Sequence, residues 1–164
     1  MPLVGIIAKK RDFQIIKNEL QKYNIELVLI SKKSIRNVSK IFFEEIIVLE
    51  DINLETSEYE FMSEVVLKTK YLIINADIEI KILKYLKTDN PIKVITFGFN
   101  SKATITISSV NEEKIIVCLQ RNLERLDNEI IEAQEKEIKI FQNFNKKIHN
   151  RLAVFIIKEL HNLK

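Results

Sequence analysis

The sequence is poor in glycine, with only Gly5 and Gly98 among its 164 residues. Loops that hold phosphate groups through the backbone need several glycines, because Cβ atoms would keep consecutive N–H groups away from the anion. The chain therefore cannot contain a standard glycine-rich phosphate loop. This excludes the usual nucleotide-binding motifs.

Cysteine and long apolar runs are also scarce. The single Cys118 excludes an internal disulfide and a zinc site built from cysteines. No apolar run approaches the roughly 18 residues of a membrane span. The first residues carry no basic stretch ahead of their apolar segment, as a signal peptide would. We expect a cytoplasmic protein without a membrane partner.

The excess of positive charge is small. The formal net charge is +3, and the basic residues alternate with acids instead of forming a long block. Residues 9–11 (Lys-Lys-Arg) could bind RNA phosphates, but no second basic cluster or interleaved aromatic residues support them. Nucleic acid is therefore not an expected partner.

What the sequence does contain is a series of short apolar runs, which alternate with helical segments over residues 1–98. The runs are Leu3–Ala8, Ile25–Ile30, Glu45–Leu49, Tyr71–Ile74 and Lys93–Phe97. Strands that are apolar on both faces are typical of parallel sheets, whose strands are joined by right-handed helical crossovers. We predict an α/β fold with a doubly wound, mostly parallel sheet of about five strands.

The connections inside this part are predicted from periodicity and turn residues. Asp12 is placed to cap the first helix. A helix is predicted over Ile78–Lys87, and a turn at Asp89–Pro91 precedes the fifth strand.

The spacing of the apolar residues changes after Gly98. Ala103–Val110 alternates apolar and polar residues, which is typical of a half-exposed strand. Lys114–Gln120 completes a hairpin with it, and a third short strand is expected within Glu129–Ile140. We predict that Gly98 begins a small three-stranded antiparallel sheet, followed by a C-terminal helix from about Asn145.

The chain is expected to form one domain, residues 1–164. Its parts are the parallel region (1–98), the antiparallel strands (99–140) and the C-terminal helix (141–164).

Polar residues follow the predicted strands, where an open parallel sheet binds its ligands. We interpret them as a possible anion or nucleotide site, formed by Lys9, Lys10, Ser31, Lys32, Asn75 and Asp77. The alternative is that strand-end loops are polar in any protein of this class. Glu50, Asp51 and Asp77 could share a magnesium ion, or could be solvated loop carboxylates. No metal site is predicted.

Several local strings resemble the central domain of the Mur ligase and folylpolyglutamate synthetase family. Residues 75–77 (Asn-Ala-Asp) resemble its Asn-Ala-Asp-Asp string, and residues 95–99 (Ile-Thr-Phe-Gly-Phe) its Ile-Thr-Tyr-Gly-Phe string. His149-Asn150 is similar to the family's Gly-x-His-Asn-x-x-Asn-Ala string. Three antiparallel strands follow the glycine at the equivalent place. The resemblance covers mainly residues 71–164. It implies Asn150 as a further nucleotide-site residue, and the family joins amino acids to carboxylates with ATP.

The chain departs from that family where ATP is held. Residues 5–12 read Gly-Ile-Ile-Ala-Lys-Lys-Arg-Asp in place of Gly-Thr-x-Gly-Lys-Thr, so the second glycine and the magnesium-binding hydroxyl are missing. Lys147 stands for the glycine of the last string, and Ala153 for its second asparagine. His149 could act as a general base, but no nucleophile is identifiable, and a structural role at the helix start is the alternative.

From these departures we expect a non-catalytic Mur-ligase-like domain that acts by protein binding or self-association, with no cofactor. The alternative is a weak nucleotide- or phosphometabolite-binding protein, or an ATP-dependent amide ligase component completed by another subunit. Phe97 and Phe99 lie where the sheet is expected to change layer, on either side of Gly98. Phe97 in the core therefore predicts Phe99 near the surface, at the interface of a homodimer or with another protein.

Overall fold

The computed structural model describes residues 1–86, 92–139 and 147–164. These ranges contain ten strands, four α-helices and a 3₁₀ helix (Lys81–Tyr85). The strands are β1 (Leu3–Ile7), β2 (Glu26–Ile30), β3 (Glu45–Val48), β4 (Tyr71–Asn75), β5 (Lys93–Gly98), β6 (Ile105–Val110), β7 (Lys114–Leu119), β8 (Leu123–Glu124), β9 (Ile130–Ile131) and β10 (Gln134–Lys139). The α-helices are α1 (Lys10–Leu20), α2 (Ile35–Val38), α3 (Thr56–Val66) and α4 (Ile148–Leu160). The turn predicted at Asp89–Pro91 lies outside the described residues.

The first five strands confirm the mostly parallel α/β fold. They pair in parallel in the order β5-β4-β3-β1-β2. Every residue of β3 and β4 is buried, as expected for central strands covered on both faces. The chain direction across the sheet reverses at β1, so the carboxyl ends of β1 and β3 flank a topological switch point.

The predicted boundary at Gly98 is wrong, because β6 joins the same sheet. Phe97 pairs with Ile105 and Gly98 with Thr106, both in parallel, and the pairing becomes antiparallel only between β6 and β7. The link over 99–104 is too short for a crossover, which takes about a dozen residues. The link brings the chain to the neighbouring position in the sheet. β6 therefore pairs with the last two residues of β5 and then continues past them in the same direction.

The three antiparallel strands exist, but they do not form a sheet of their own. β6, β7 and β10 extend the parallel strands into one eight-stranded sheet, and the separate small sheet contains β8 and β9. The end of β5 explains the difference, since β6 supplies backbone partners for its last two residues, Phe97 and Gly98. The separate antiparallel sheet that the family resemblance implies is not found.

The helix predicted over Ile78–Lys87 is also corrected, since the described part of this segment holds only the 3₁₀ helix. Its isoleucines, residues 78, 80 and 82, recur every second position, which is not the spacing of an α-helical face. Ile80 and Ile82 are buried nonetheless. The backbone N–H of Lys81 donates to Asp51 Oδ1 at 3.2 Å, which fixes the segment to the loop after β3.

The core has two layers, one on each face of the sheet. The first includes buried residues of α1 and α4, and the second includes those of α2 and α3. Within the described residues, no helix is long and apolar enough to span a bilayer. The N-terminus of α4 lies beside the carboxyl ends of the parallel strands, where it contributes to a cleft.

Candidate functional site

A cleft of about 170 Å³ lies at the switch point of the sheet. Its lining combines the ends of β1, β3 and β4 with the start of α1 and α4: Ala8, Asp12, Leu49, Glu50, Asn75, Lys147, His149 and Asn150. This is the edge where open parallel sheets bind ligands.

Asn75 fixes the end of β4 within this cleft. Its side-chain Nδ2 donates to the carbonyl oxygen of Leu49 at 3.1 Å, and its Oδ1 accepts from the N–H of Asp77 at 3.0 Å. The second bond closes an Asx turn, a local structure that asparagine favours. With both groups engaged in the fold, Asn75 orients Asp77.

Asp77 is the centre of a hydrogen-bond network. Its Oδ2 lies 2.7 Å from His149 Nε2 and accepts from the N–H of Phe99 at 2.8 Å, while Oδ1 accepts from the N–H of Asn100 at 2.9 Å. Burial raises the pKa of the Asp77 carboxyl, but hydrogen bonds from His149 and the two N–H groups outweigh it and lower the pKa below its usual 3.8. The carboxylate thereby joins β4, the loop after β5 and α4.

Asp12 forms a second network on the other side of the cleft. Its Oδ1 accepts a hydrogen bond from Asn150 Nδ2 at 2.8 Å and pairs with Lys147. Burial raises the pKa of the Asp12 carboxyl, but the hydrogen bonds from Asn150 and Lys147 outweigh burial and lower the pKa below its usual value. Asp12 therefore ties α1 to α4. It is not the predicted helix cap, because Lys9 holds the cap position.

Two aromatic rings accompany His149. The Phe97 ring is fully buried, with its centroid 6.4 Å from that of the imidazole. The Phe99 ring meets the imidazole edge-on at 5.7 Å and is 56% exposed. The predicted inward and outward placement of the two phenylalanines is thus confirmed. We call Asp77, Ile78, Phe99, Asn100 and His149 the carboxyl-end rim.

The structure brings together only some of the predicted site residues. Asn75 and Asn150 line the cleft, and Asp77 holds His149, which also lines it. Lys9 reaches the Glu50 carboxylate at 3.6 Å, whereas Lys10 is exposed and does not line the cleft.

Ser31 and Lys32 belong to other contacts. Ser31 hydrogen-bonds with Ser34, and Lys32 pairs with the carboxylates of Glu55 and Glu58 at 3.7 and 3.3 Å. Neither lines the cleft.

Sequence reasoning missed the partners that join distant parts of the chain. Lys147 was noted only for replacing a glycine. The Glu45–His161 pair was also missed: Glu45 is completely buried at the start of β3, and His161 Nε2 lies 3.2 Å from its Oε1. Burial raises the pKa of the Glu45 carboxyl, while His161 opposes that shift. An acidic residue at the start of an otherwise apolar strand was the available signal.

The magnesium interpretation of Glu50, Asp51 and Asp77 is not supported by their placement. Each carboxylate has its own partner within the chain. Glu50 pairs with Lys9, Asp51 accepts from the N–H of Lys81, and Asp77 accepts from the N–H of Phe99. In the part of the chain that the structure describes, no three His, Cys, Asp or Glu residues are grouped in a way that could hold a metal ion.

Comparison with known proteins does not place the chain in a family. No protein-family model matches it, and no curated protein matches it either.

The lowered pKa of Asp77 predicts a specific pH dependence of stability. The carboxylate stabilises the fold above the unfolded-state pKa, and this contribution is lost as the pH falls through the still lower folded-state pKa. Asp77→Asn should destabilise the protein by about 1–3 kcal/mol at pH 6. In urea unfolding, the difference from wild type should shrink below pH 3.8.

Glu112→Gln is the matched control, because Glu112 is exposed in the turn between β6 and β7 and forms no ion pair with a described residue. It should leave the pH profile of the wild type unchanged. A difference between wild type and Asp77→Asn that stays constant down to pH about 2.5 would contradict a charge-based role.

Proposed function

We propose that this protein is a Mur-ligase-like domain without catalytic activity that binds protein through the carboxyl-end rim, with a second copy of the chain as its partner. The observation that carries the proposal is the exposed Phe99 ring, held at the rim by a fixed backbone. The N–H groups of Phe99 and Asn100 both donate to the Asp77 carboxylate, so the ring is presented by a rigid loop.

The chemistry of the cleft supports binding over catalysis. Its volume of about 170 Å³ is below the ~300 Å³ at which small-molecule sites begin. The carboxylates of Asp12, Glu50 and Asp77 are all paired with cationic or hydrogen-bonding groups of the chain itself. All three carboxylates are thus engaged within the chain itself, and Asp12 and Glu50 are each paired with a lysine.

The rim also has the composition of a contact surface. Phe99 is more than half exposed and Ile78, the residue after Asp77, is 39% exposed. Aromatic residues are enriched at the centres of protein interfaces, where their burial supplies much of the binding energy. A two-fold contact between rims would pair each Phe99 with the equivalent surface of the other copy.

Light scattering of Phe99→Lys tests the proposal. The wild type should be a dimer at micromolar concentration, burying about 1,200–2,000 Å² in total. Phe99→Lys should be monomeric, because the substitution places a charge in the apolar contact. Phe42→Lys is the matched control: its ring is 54% exposed, but it precedes β3, at the opposite end of the parallel strands.

A wild-type protein that is strictly monomeric would contradict the proposed self-association. Dissociation by Phe42→Lys but not by Phe99→Lys would move the interface away from the carboxyl-end rim. Circular dichroism of both variants ensures that monomers are folded.

The second candidate function is weak binding of a nucleotide or phosphometabolite, favoured by the position of the cleft at the switch point of the sheet. Titration calorimetry with ATP and magnesium distinguishes nucleotide binding from protein binding without a nucleotide. Under the main proposal, the dissociation constant for ATP is about 1 mM or higher, since no glycine-rich loop holds the phosphates. A micromolar site that Lys9→Ala plus Lys10→Ala abolishes would favour the second candidate.

A further inference from the structure

A groove far larger than the cleft lies between the edge strand β10 and the helices α1 and α4. Its volume is about 440 Å³, within the range of ~300–1,000 Å³ typical of ligand sites. The groove shares no lining residue with the carboxyl-end rim. Whatever binds in the groove is therefore separate from the proposed self-association.

One wall of the groove is the last strand of the eight-stranded sheet. β10 pairs with β7 on one side, and no described strand pairs with its other side. The backbone N–H and C=O groups on that side can accept another extended chain, as edge strands generally can. Peptide recognition by strand addition uses this arrangement.

The floor of the groove is apolar. Val154 and Phe155 on α4, Ile138 on β10 and Leu163 contribute side chains to its lining. Ile138 packs partly buried against the core beneath the sheet. An extended segment with alternating side chains could place every second one on this floor.

The charges of the groove are unbalanced. Its three carboxylates are each paired with a cation: Glu19 with Arg151, Glu137 with Lys114 and Glu159 with Lys136. Three of its lysines, residues 22, 139 and 158, form no ion pair with a described carboxylate. The ammonium groups of Lys22 and Lys158 both lie near the Tyr23 ring, 5.0 and 5.4 Å from its centroid. The surplus charge is therefore positive, and two of its three ammonium groups lie at the Tyr23 ring.

We propose that the groove binds an extended acidic peptide, which adds as a strand to the edge of β10 that no described strand occupies and places its carboxylates near Lys22, Lys139 and Lys158. A second copy of this chain fits less well, because two such positive grooves would repel each other. Phosphate polymers would satisfy the lysines but could not use the backbone edge of β10 or the apolar floor. A peptide uses all three features.

The test is fluorescence anisotropy with a labelled peptide of about eight residues in which Val-Val-Glu-Glu is repeated, so that each face of the strand carries both valine and glutamate. It should bind wild-type protein, and the same peptide with lysine for glutamate should not. Lys22→Glu plus Lys158→Glu should weaken binding at least about tenfold, through lost attraction and added repulsion. The matched control is Lys33→Glu plus Lys102→Glu, which makes the same charge change at two exposed sites outside the groove and should bind as wild type does.

A second measurement tests strand addition on the wild-type protein, independent of whether the variants fold. Two versions of the glutamate–valine peptide carry N-methyl groups on either the odd or the even amides. Because alternate N–H groups of a strand face opposite edges, one version should lose binding and the other retain it.

Equal binding of both methylated versions would overturn strand addition. Failure of the glutamate peptide to bind at about 1 mM, or its displacement by inorganic polyphosphate with polyphosphate itself binding more tightly, would overturn the proposal of a peptide partner. None of these outcomes depends on whether the protein dimerises through Phe99.

Discussion

Gly98→Ala is expected to destabilise the protein by about 3–5 kcal/mol, through backbone strain and lost hydrogen bonds to a carboxylate. Gly98 has φ +142°, which residues with a Cβ rarely adopt. A Cβ built there would lie 2.7 Å from the carboxyl carbon of Asp77. That carboxylate cannot move away freely, because His149 and the N–H groups of Phe99 and Asn100 hold it. Urea unfolding at pH 7 measures the effect.

A double-mutant cycle separates the two causes of this loss. In an Asp77→Ala background the carboxylate is absent, so Gly98→Ala should retain only the strain of its backbone conformation, about 1–3 kcal/mol. Additive effects of the two substitutions would contradict the steric coupling. A loss below about 0.5 kcal/mol in the single variant would show that the loop rearranges without penalty.

Phe97→Ala is expected to destabilise the protein by about 3–5 kcal/mol, the range for removing a buried aromatic ring. Phe97 is fully buried in the first core layer, and β5 provides it with fixed neighbours on both sides, Asn75 on β4 and Ile105 on β6. A cavity left there could not collapse easily, because these strands are held by their own hydrogen bonds. The measurement is again urea unfolding.

Phe99→Ala is the control for Phe97→Ala, two residues along the chain and with the same change in side chain. Since its ring is largely exposed, the loss of stability should be about 0.5 kcal/mol or less at protein concentrations where the monomer dominates. Similar losses for both variants would contradict the opposite placement of the two rings.

The parallel part of the fold could be predicted because each strand carries its own signal. A run such as Tyr71–Ile74 is short and apolar at every position, which favours a strand covered on both faces. The placement of Phe97 in the core and Phe99 at the surface follows from Gly98, which ends β5 with φ +142° and so interrupts the strand between the two rings. These features depend on residues that are close in the chain.

The arrangement of the later strands could not be predicted in the same way. The alternating pattern of Ile105–Val110 indicates a strand, but it does not specify which edge the strand joins. The position of β6 depends on the end of β5, which offers it backbone partners, and on the short link over 99–104. This link is held by Thr104 N–H, which donates to Thr96 Oγ1 at 2.8 Å. The expectation of a separate antiparallel sheet was wrong for this reason.

By itself, the sequence determined that this protein is an α/β domain with apolar strands, a polar carboxyl edge and no glycine-rich phosphate loop. These properties follow from residue type and short-range spacing. Only the tertiary structure decided which polar residues meet: Asp77 with His149, Asp12 with Lys147 and Asn150, and Lys158 with Tyr23. Such partners lie as far as 138 positions apart in the chain. The physical reason is that hydrogen bonds and ion pairs act over a few ångströms, so their partners are chosen by the packing of α1 and α4 against the sheet.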